Sequence, residues 1–213
     1  MKPKRIMLVR HGQSAGNVDK SHYESVPDYA LNLTPEGIEQ ARQTGQTIKR
    51  LIGSENVHGY ISPYYRTRQT YHYIRESIEP NIVKAYEDPR LREQDWGHLR
   101  SPNVNEEIIR ERKNFSSFYY RIPDGESCAD VYDRVSIFLE TLHRDFQKPD
   151  YPQNTLIVTH GMTLRVFLMR WFHWSVEEFE NLRNPLNGQV VVMEQQTELN
   201  NRYTITTELA KRR

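Results

Sequence analysis

The chain has 213 residues, with 29 Lys and Arg against 28 Asp and Glu and a formal net charge of +1. That length suits one domain over residues 1–213, with a core large enough to fold without a disulfide or metal staple. The balanced charge gives no bulk electrostatic case for nucleic acid or for an anionic membrane surface, and no apolar run approaches the length of a membrane span.

The start, Met1-Lys2-Pro3-Lys4-Arg5, is basic but carries no apolar signal region. The single cysteine, Cys128, excludes an intrachain disulfide, so a reducing, cytoplasmic compartment is expected, with Cys128 as a packed side chain. Arg5 to Arg10 reads as a buried strand. Thr34-Pro35-Glu36 reads as a helix start, with Thr34 as N-cap and Ile38, Ala41, Gly45, Ile48 and Ile52 on one face. Val57 to Ser62 is a short strand, and Ser62-Pro63 repeats the cap-plus-proline signal for a helix to about Ser77. Ile82 to Tyr86 is a third strand. Ser127 and Asp130 cap a helix through Phe146. Leu156 to Thr159 is a fourth strand, followed by a helix from Thr163 to Phe172 and a capping box at Ser175-Val176-Glu177-Glu178. Gln189 to Glu194 and Tyr203 to Thr206 read as late strands, a hairpin around Leu199-Asn200-Asn201. The alternation predicts an α/β fold: a three-layer α/β/α sandwich with a mainly parallel central sheet. Residues 87–124 break the rhythm and read as an insertion over the carboxyl-end cleft.

Two of these strands stop on the same dipeptide, His11-Gly12 and His160-Gly161, and Arg10 precedes the first. In an open α/β sheet, ligands bind outside the carboxyl ends of the strands. Two histidines and an arginine delivered there suit a phosphate. A neutral His11 can attack through one ring nitrogen while the other donates to a backbone carbonyl. Arg10 and a second arginine can clamp the phosphoryl oxygens, and a protonated His160 would add a donor. Asn17 lies where backbone N–H groups also face an anion.

These residues resemble the signatures of the histidine phosphatase superfamily, the phosphoglycerate mutase-like branch. The first is Arg10-His11-Gly12-Gln13-Ser14-Ala15-Gly16-Asn17, and the second is Ser62-Pro63-Tyr64-Tyr65-Arg66-Thr67-Arg68-Gln69-Thr70. The third is Leu91-Arg92-Glu93-Gln94-Asp95-Trp96-Gly97, followed by Gly125-Glu126-Ser127 and Val158-Thr159-His160-Gly161. All five fall in family order. Arg90 to Asp95, Phe118 to Arg121 and Val131 to Arg134 also resemble a plant and fungal mutase-like subgroup. The resemblance implies a phosphoglycerate mutase-like fold and a catalytic set of His11, Arg10, Arg66, His160 and Glu93. His11 would become a phosphohistidine, and Glu93 would act as general acid and then base. Asp88, Asp95 and Glu126 are alternative acids. The implied substrate-binding set is Arg10, Asn17, Arg66, His160, Gly161 and Met162. No metal is expected.

The reading that follows is a phosphatase acting on a small phosphomonoester, without nucleic acid or membrane insertion. The runner-up is a mutase, which would need a 2,3-bisphosphoglycerate primer; otherwise no cofactor is expected. Against it, Glu111-Arg112-Lys113 lacks the adjacent arginines of the glycolytic mutases, and Met162 stands where they carry Asn. A non-catalytic phospho-ligand binder would have no use for Glu93, and a kinase would need a Walker loop that is absent. The aromatics Phe115, Phe118, Tyr119 and Tyr120 are expected to pack the insertion onto the core, and Arg110 to Lys113 to form a solvated helix face. The histidines His22, His58, His72, His98, His143 and His173 are expected to be structural or exposed, and Lys211-Arg212-Arg213 a frayed tail.

Overall fold

The apolar run near the start forms strand β1, Arg5–Arg10. Its alternating side chains go to opposite faces of the sheet. Ile6 and Leu8 join a cluster with Val131, Phe138 and Leu164, while Met7 and Val9 join Ile48, Ile74 and Ile78. A strand buried on both faces belongs in the middle of a sheet covered by helices on both sides. The structure, a computed structural model, describes residues 2–97 and 102–211, with backbone alone at 102–105. Within it, β2 (Val57–Ile61), β3 (Ile82–Glu87), β4 (Asn154–Thr159), β5 (Val190–Gln196) and β6 (Arg202–Ile205) complete a six-stranded sheet of order β3-β2-β4-β1-β5-β6. The pairs β1–β4, β2–β4 and β2–β3 are parallel, whereas β5 runs antiparallel to β1 and to β6.

In chain order the helices are α1 (Ala15–Val18), α2 (His22–Ser25), α3 (Pro35–Ile52), α4 (Tyr65–Ile78), α5 (Pro102–Phe115), α6 (Cys128–Asp145), α7 (Gly161–Phe172) and α8 (Val176–Glu180). One face of the sheet is covered by α3 and α4 and the other by α6 and α7. The expected three-layer arrangement is the observed one. Each fully buried aliphatic chain in these layers contributes about 1.5–3 kcal/mol relative to exposure. Thr34, Ser127 and Ser175 cap their helices as expected, Thr34 accepting from the Gly37 amide and Ser127 and Ser175 forming capping boxes with Asp130 and Glu178.

Several expectations need correction. Ser62 does not cap α4, whose N-cap is Tyr64; the Ser62 hydroxyl instead meets His160. At Gly12, a Cβ would lie 2.3 Å from the Gly37 carbonyl oxygen, so close backbone packing demands glycine. At Gly161, a Cβ would lie 2.9 Å from the Asn184 side chain. Of the aromatics in the insertion, Phe118 packs into the core beside Phe179, but Phe115 and Tyr119 are exposed. Arg112 is no solvated charge: it is buried, donating to the Ser117 carbonyl, Gln94 Oε1 and Cys128 Sγ. Lys211 forms a bridge with Leu182 rather than fraying; Arg212, Arg213 and His98 lie outside the described residues.

Candidate active site

Sheet register builds the centre of the site. Arg10 on β1 is level with Thr159 on the adjacent parallel β4, so His11 and His160 leave neighbouring strands at the same height. The His11 amide donates to the Thr159 carbonyl at 3.0 Å, which extends the ladder by one step. The two rings meet edge to face with centroids 5.2 Å apart. Both are buried, at 3% and 0% exposure.

His11 Nδ1 lies 2.7 Å from the Gly12 carbonyl oxygen, which can only accept, so Nδ1 carries the proton and Nε2 the lone pair. Arg66, near the start of α4, donates from Nε to that Nε2 at 3.2 Å. Burial pushes the His11 pKa well below the imidazole range, with Arg66 and then Arg10 adding to the effect. The ring is therefore neutral into the acid range. His160 is pushed the same way by burial, Arg66 and His11. It also sits at the N-cap of α7, where the helix dipole disfavours a cation. The sequence reading of a protonated His160 is thus replaced by a neutral one.

Arg10 donates from Nη1 to the Pro185 carbonyl at 2.6 Å, and burial lowers its pKa, with Glu93 opposing. Two buried polar atoms at this centre, Arg10 Nε and His160 Nδ1, have no hydrogen-bond partner among the described residues. Leaving such a group unsatisfied costs about 1–3 kcal/mol, so a water or a bound ligand is expected to meet each of them.

Glu93 faces the same cavity from the insertion side. Its loop is fastened at several points. Thr159 Oγ1 donates to the Leu91 carbonyl, Thr163 Oγ1 to that of Arg92, and Arg134 to those of Arg90, Arg92 and Glu93. The Glu93 carboxylate accepts from the amides of Gln94, Met162 and Thr163. Oε1 carries most of these bonds and Oε2 only the one from Met162, so Oε2 has room for a proton. The Met162 amide, expected to face substrate, is instead engaged by Glu93, and Gly161 serves close packing. The alternative acids are placed elsewhere. Glu126 is held by Arg134 and Arg92, Asp88 pairs with Arg90, and Asp95 accepts from the Gly97 amide. Asn17 lines the cavity, its Oδ1 taken up by Ser14 and Asn187. Its Nδ2 donates to no side chain or backbone group among the described residues.

The cavity holds about 330 Å³ and joins Arg10, His11, Asn17, Arg66, Glu93 and Trp96 of the third motif with residues that carried no sequence signal: Lys20, Tyr23, Asp28, Ile109 and Asn184. Asp28 is the most consequential of these. Arg66 Nη1 donates to its Oδ1 at 2.8 Å and to its carbonyl oxygen at 2.6 Å. Trp96 is stacked under the Arg112 guanidinium, 5.0 Å from ring centroid to Cζ. Tyr23 is pushed up to about 12 by burial, so it is a neutral hydroxyl. Cys128 lies outside this cavity, its thiol raised by burial to about 11, which makes it a packing residue.

Two adjacent parallel strands, each followed by a histidine, bring two imidazoles together with two arginines and a carboxylate at one edge of an α/β sandwich, an arrangement suited to an anion. The family model of the histidine phosphatase superfamily (branch 1) matches residues 6–203, and the chain belongs to that superfamily. Among curated relatives, the Arabidopsis thaliana phosphoglycerate mutase-like protein AT74 is 45% identical over 205 residues, covering 90% of this chain. The chain spans only 65% of that relative's length. The Saccharomyces cerevisiae broad-range acid phosphatase DET1 is 30% identical, covering 99% of this chain and 90% of its own length. Among solved structures, a putative alpha-ribazole-5'-P phosphatase from Escherichia coli superposes with a TM-score of 0.72 at 20% identity, covering 98% of this chain and 97% of its own. The last similarity speaks to the fold.

Proposed function

We propose that the chain hydrolyses small phosphomonoesters through a phosphohistidine on His11, without a metal ion. The observation that carries this is the His11 ring: Nδ1–H is fixed on the Gly12 carbonyl, and the Nε2 lone pair faces Arg66. In the first step Nε2 attacks phosphorus, the P–O bond to the leaving group breaks, and Glu93 gives that oxygen a proton. In the second, Glu93 takes a proton from water, which attacks phosphorus and restores His11. Arg10, Arg66 and a neutral His160 hold the phosphoryl oxygens, with Asn17 Nδ2 as a further donor. The arginines supply the positive charge that a metal would otherwise bring. Among the described residues, no group of three or more His, Cys, Asp or Glu side chains is placed to hold a metal ion.

Hydrolysis is favoured over mutase chemistry by the placement of Arg112. Its recorded hydrogen bonds tie it to Ser117, Gln94 and Cys128 rather than leaving it to clamp a second phosphate. A 2,3-bisphosphoglycerate primer is accordingly not required. No helix among the described residues is long and apolar enough to cross a membrane, and a cytoplasmic setting remains part of this proposal on the strength of the lone cysteine. The test is phosphate release from p-nitrophenyl phosphate in the presence of chelator, for wild type and His11→Ala. Release by wild type alone is the expected result. Release that needs a divalent cation, or phosphoglycerate isomerisation faster than phosphate release, would overturn it.

A further inference from the structure

His160 has two ring nitrogens and two different surroundings for them. Nε2 lies 2.7 Å from Ser62 Oγ, while Nδ1 is buried with no partner among the described residues. Ser62 is wholly buried, and its hydroxyl has no other recorded hydrogen bond. Its backbone is fixed on both sides: the amide donates to the Val158 carbonyl of β4, and the carbonyl accepts from Thr67 Oγ1 of α4. The hydroxyl is thus held against one nitrogen of one ring.

We propose that Ser62 is a positioning residue whose hydroxyl donates to His160 Nε2, holding the ring proton on Nδ1, the one nitrogen left to donate to a phosphoryl oxygen. The alternative is for Nε2–H to donate to Ser62 Oγ. That leaves the hydroxyl hydrogen without an acceptor in a fully buried position. It also turns a lone pair on Nδ1 toward an anion. Both consequences are unfavourable, and both vanish when serine is the donor. A neutral imidazole carries a single N–H, so its tautomer decides whether it can assist at all. The N-cap position on α7 and the neighbouring arginines keep the ring neutral, which places this decision on Ser62.

This inference rests on the proposed phosphoryl chemistry only for the identity of the acceptor. The tautomer itself is readable without turnover. The experiment is long-range proton–nitrogen correlation NMR on protein labelled at histidine nitrogen, with His160 assigned by comparison with His160→Asn. Spectra are taken for wild type and Ser62→Ala, with and without orthovanadate. The expected wild-type pattern is a protonated Nδ1 and an unprotonated Nε2, shifting in Ser62→Ala toward the other tautomer or a mixture. Turnover of Ser62→Ala should fall about 10- to 100-fold, equally for aryl and alkyl phosphates, because His160 serves the phosphoryl group and not the leaving oxygen. Ser62→Cys, close in volume with a weaker donor, should lie between. A wild-type His160 protonated on Nε2, or an unchanged tautomer in Ser62→Ala, would overturn the proposal. Should wild type show the Ser62-dependent Nδ1–H yet release no phosphate, the proposed function fails and the role of Ser62 stands.

Discussion

His11 and His160 stand on strand ends whose height is set by parallel register, whereas Tyr23, Asp28 and Trp96 line the cavity at His11 from segments outside the sheet. The two sides are held by different forces. Strand ends inherit their position from the buried ladder beneath them, where Ile6 to Val9 and Leu156 to Val158 are all fully buried. The outer segments depend on individual side-chain bonds: Asp28 on Arg66, and Trp96 on the face of Arg112. The lesson is a division of labour. Changes on the sheet side should affect every phosphomonoester alike, and changes on the outer wall should alter affinity or distinguish one substrate from another.

The largest effect should come from the sheet side. Replacing His11 by alanine removes the proposed nucleophile, and turnover should fall about 10,000-fold or more on all substrates, while orthovanadate should still bind through the arginines. Residual turnover that varies with the leaving group would break the comparison. Glu93→Gln keeps the size and most of the hydrogen bonds but removes the proton. The rate of phosphoenzyme formation, read before steady state, should fall about 100- to 10,000-fold for alkyl phosphates and much less for p-nitrophenyl phosphate. Equal losses on both would take Glu93 out of the acid role.

Changes in the wall should be milder and of another kind. Asp28→Asn preserves an acceptor for Arg66 but withdraws its neutralising charge. Phosphate and orthovanadate should then inhibit about 3- to 10-fold more tightly, with kcat changing less than the inhibition constants. Unaltered inhibition would mean that Asp28 does not temper Arg66. Trp96→Ala should change KM about 2- to 10-fold for bulky substrates and leave p-nitrophenyl phosphate nearly untouched; a uniform fall in kcat would place Trp96 with the sheet residues instead.

The smallest effect is on stability. His11 and His160 have folded pKa values held well below the imidazole range by burial. In the unfolded chain they take up protons below about pH 6.5, so the unfolded state binds more protons there and stability falls as pH falls. Above that pH their contribution is flat. Thermal melts between pH 7.5 and 5 should show this decline, with a shallower slope for His11→Asn. An identical slope in the variant would show that His11 titrates normally in the fold.

The sheet side was legible in the sequence because strands announce themselves: apolar runs that stop on His-Gly fix both the element and the residue delivered. Arg66 and Glu93 came from ordered motifs rather than from periodicity. Ser62 was visible but misassigned, since Ser-Pro before a helix reads equally as a cap, and only spatial proximity to His160 decides. Asp28 and Asn184 gave no signal, because no local pattern encodes a contact between Asp28 and Arg66 across 38 positions. The reason glycine is needed at Gly12, its contact with Gly37, is likewise encoded in no local pattern.

The most direct test of the central claim is to quench the protein within its first turnover of a radiolabelled phosphomonoester and examine the trapped phosphoenzyme. The account expects an acid-labile, alkali-stable label on wild type that maps to His11 and accumulates in Glu93→Gln when p-nitrophenyl phosphate is the donor. It expects none in His11→Ala. A label on another residue, or full hydrolysis with no phosphoenzyme at any quench time, would contradict it.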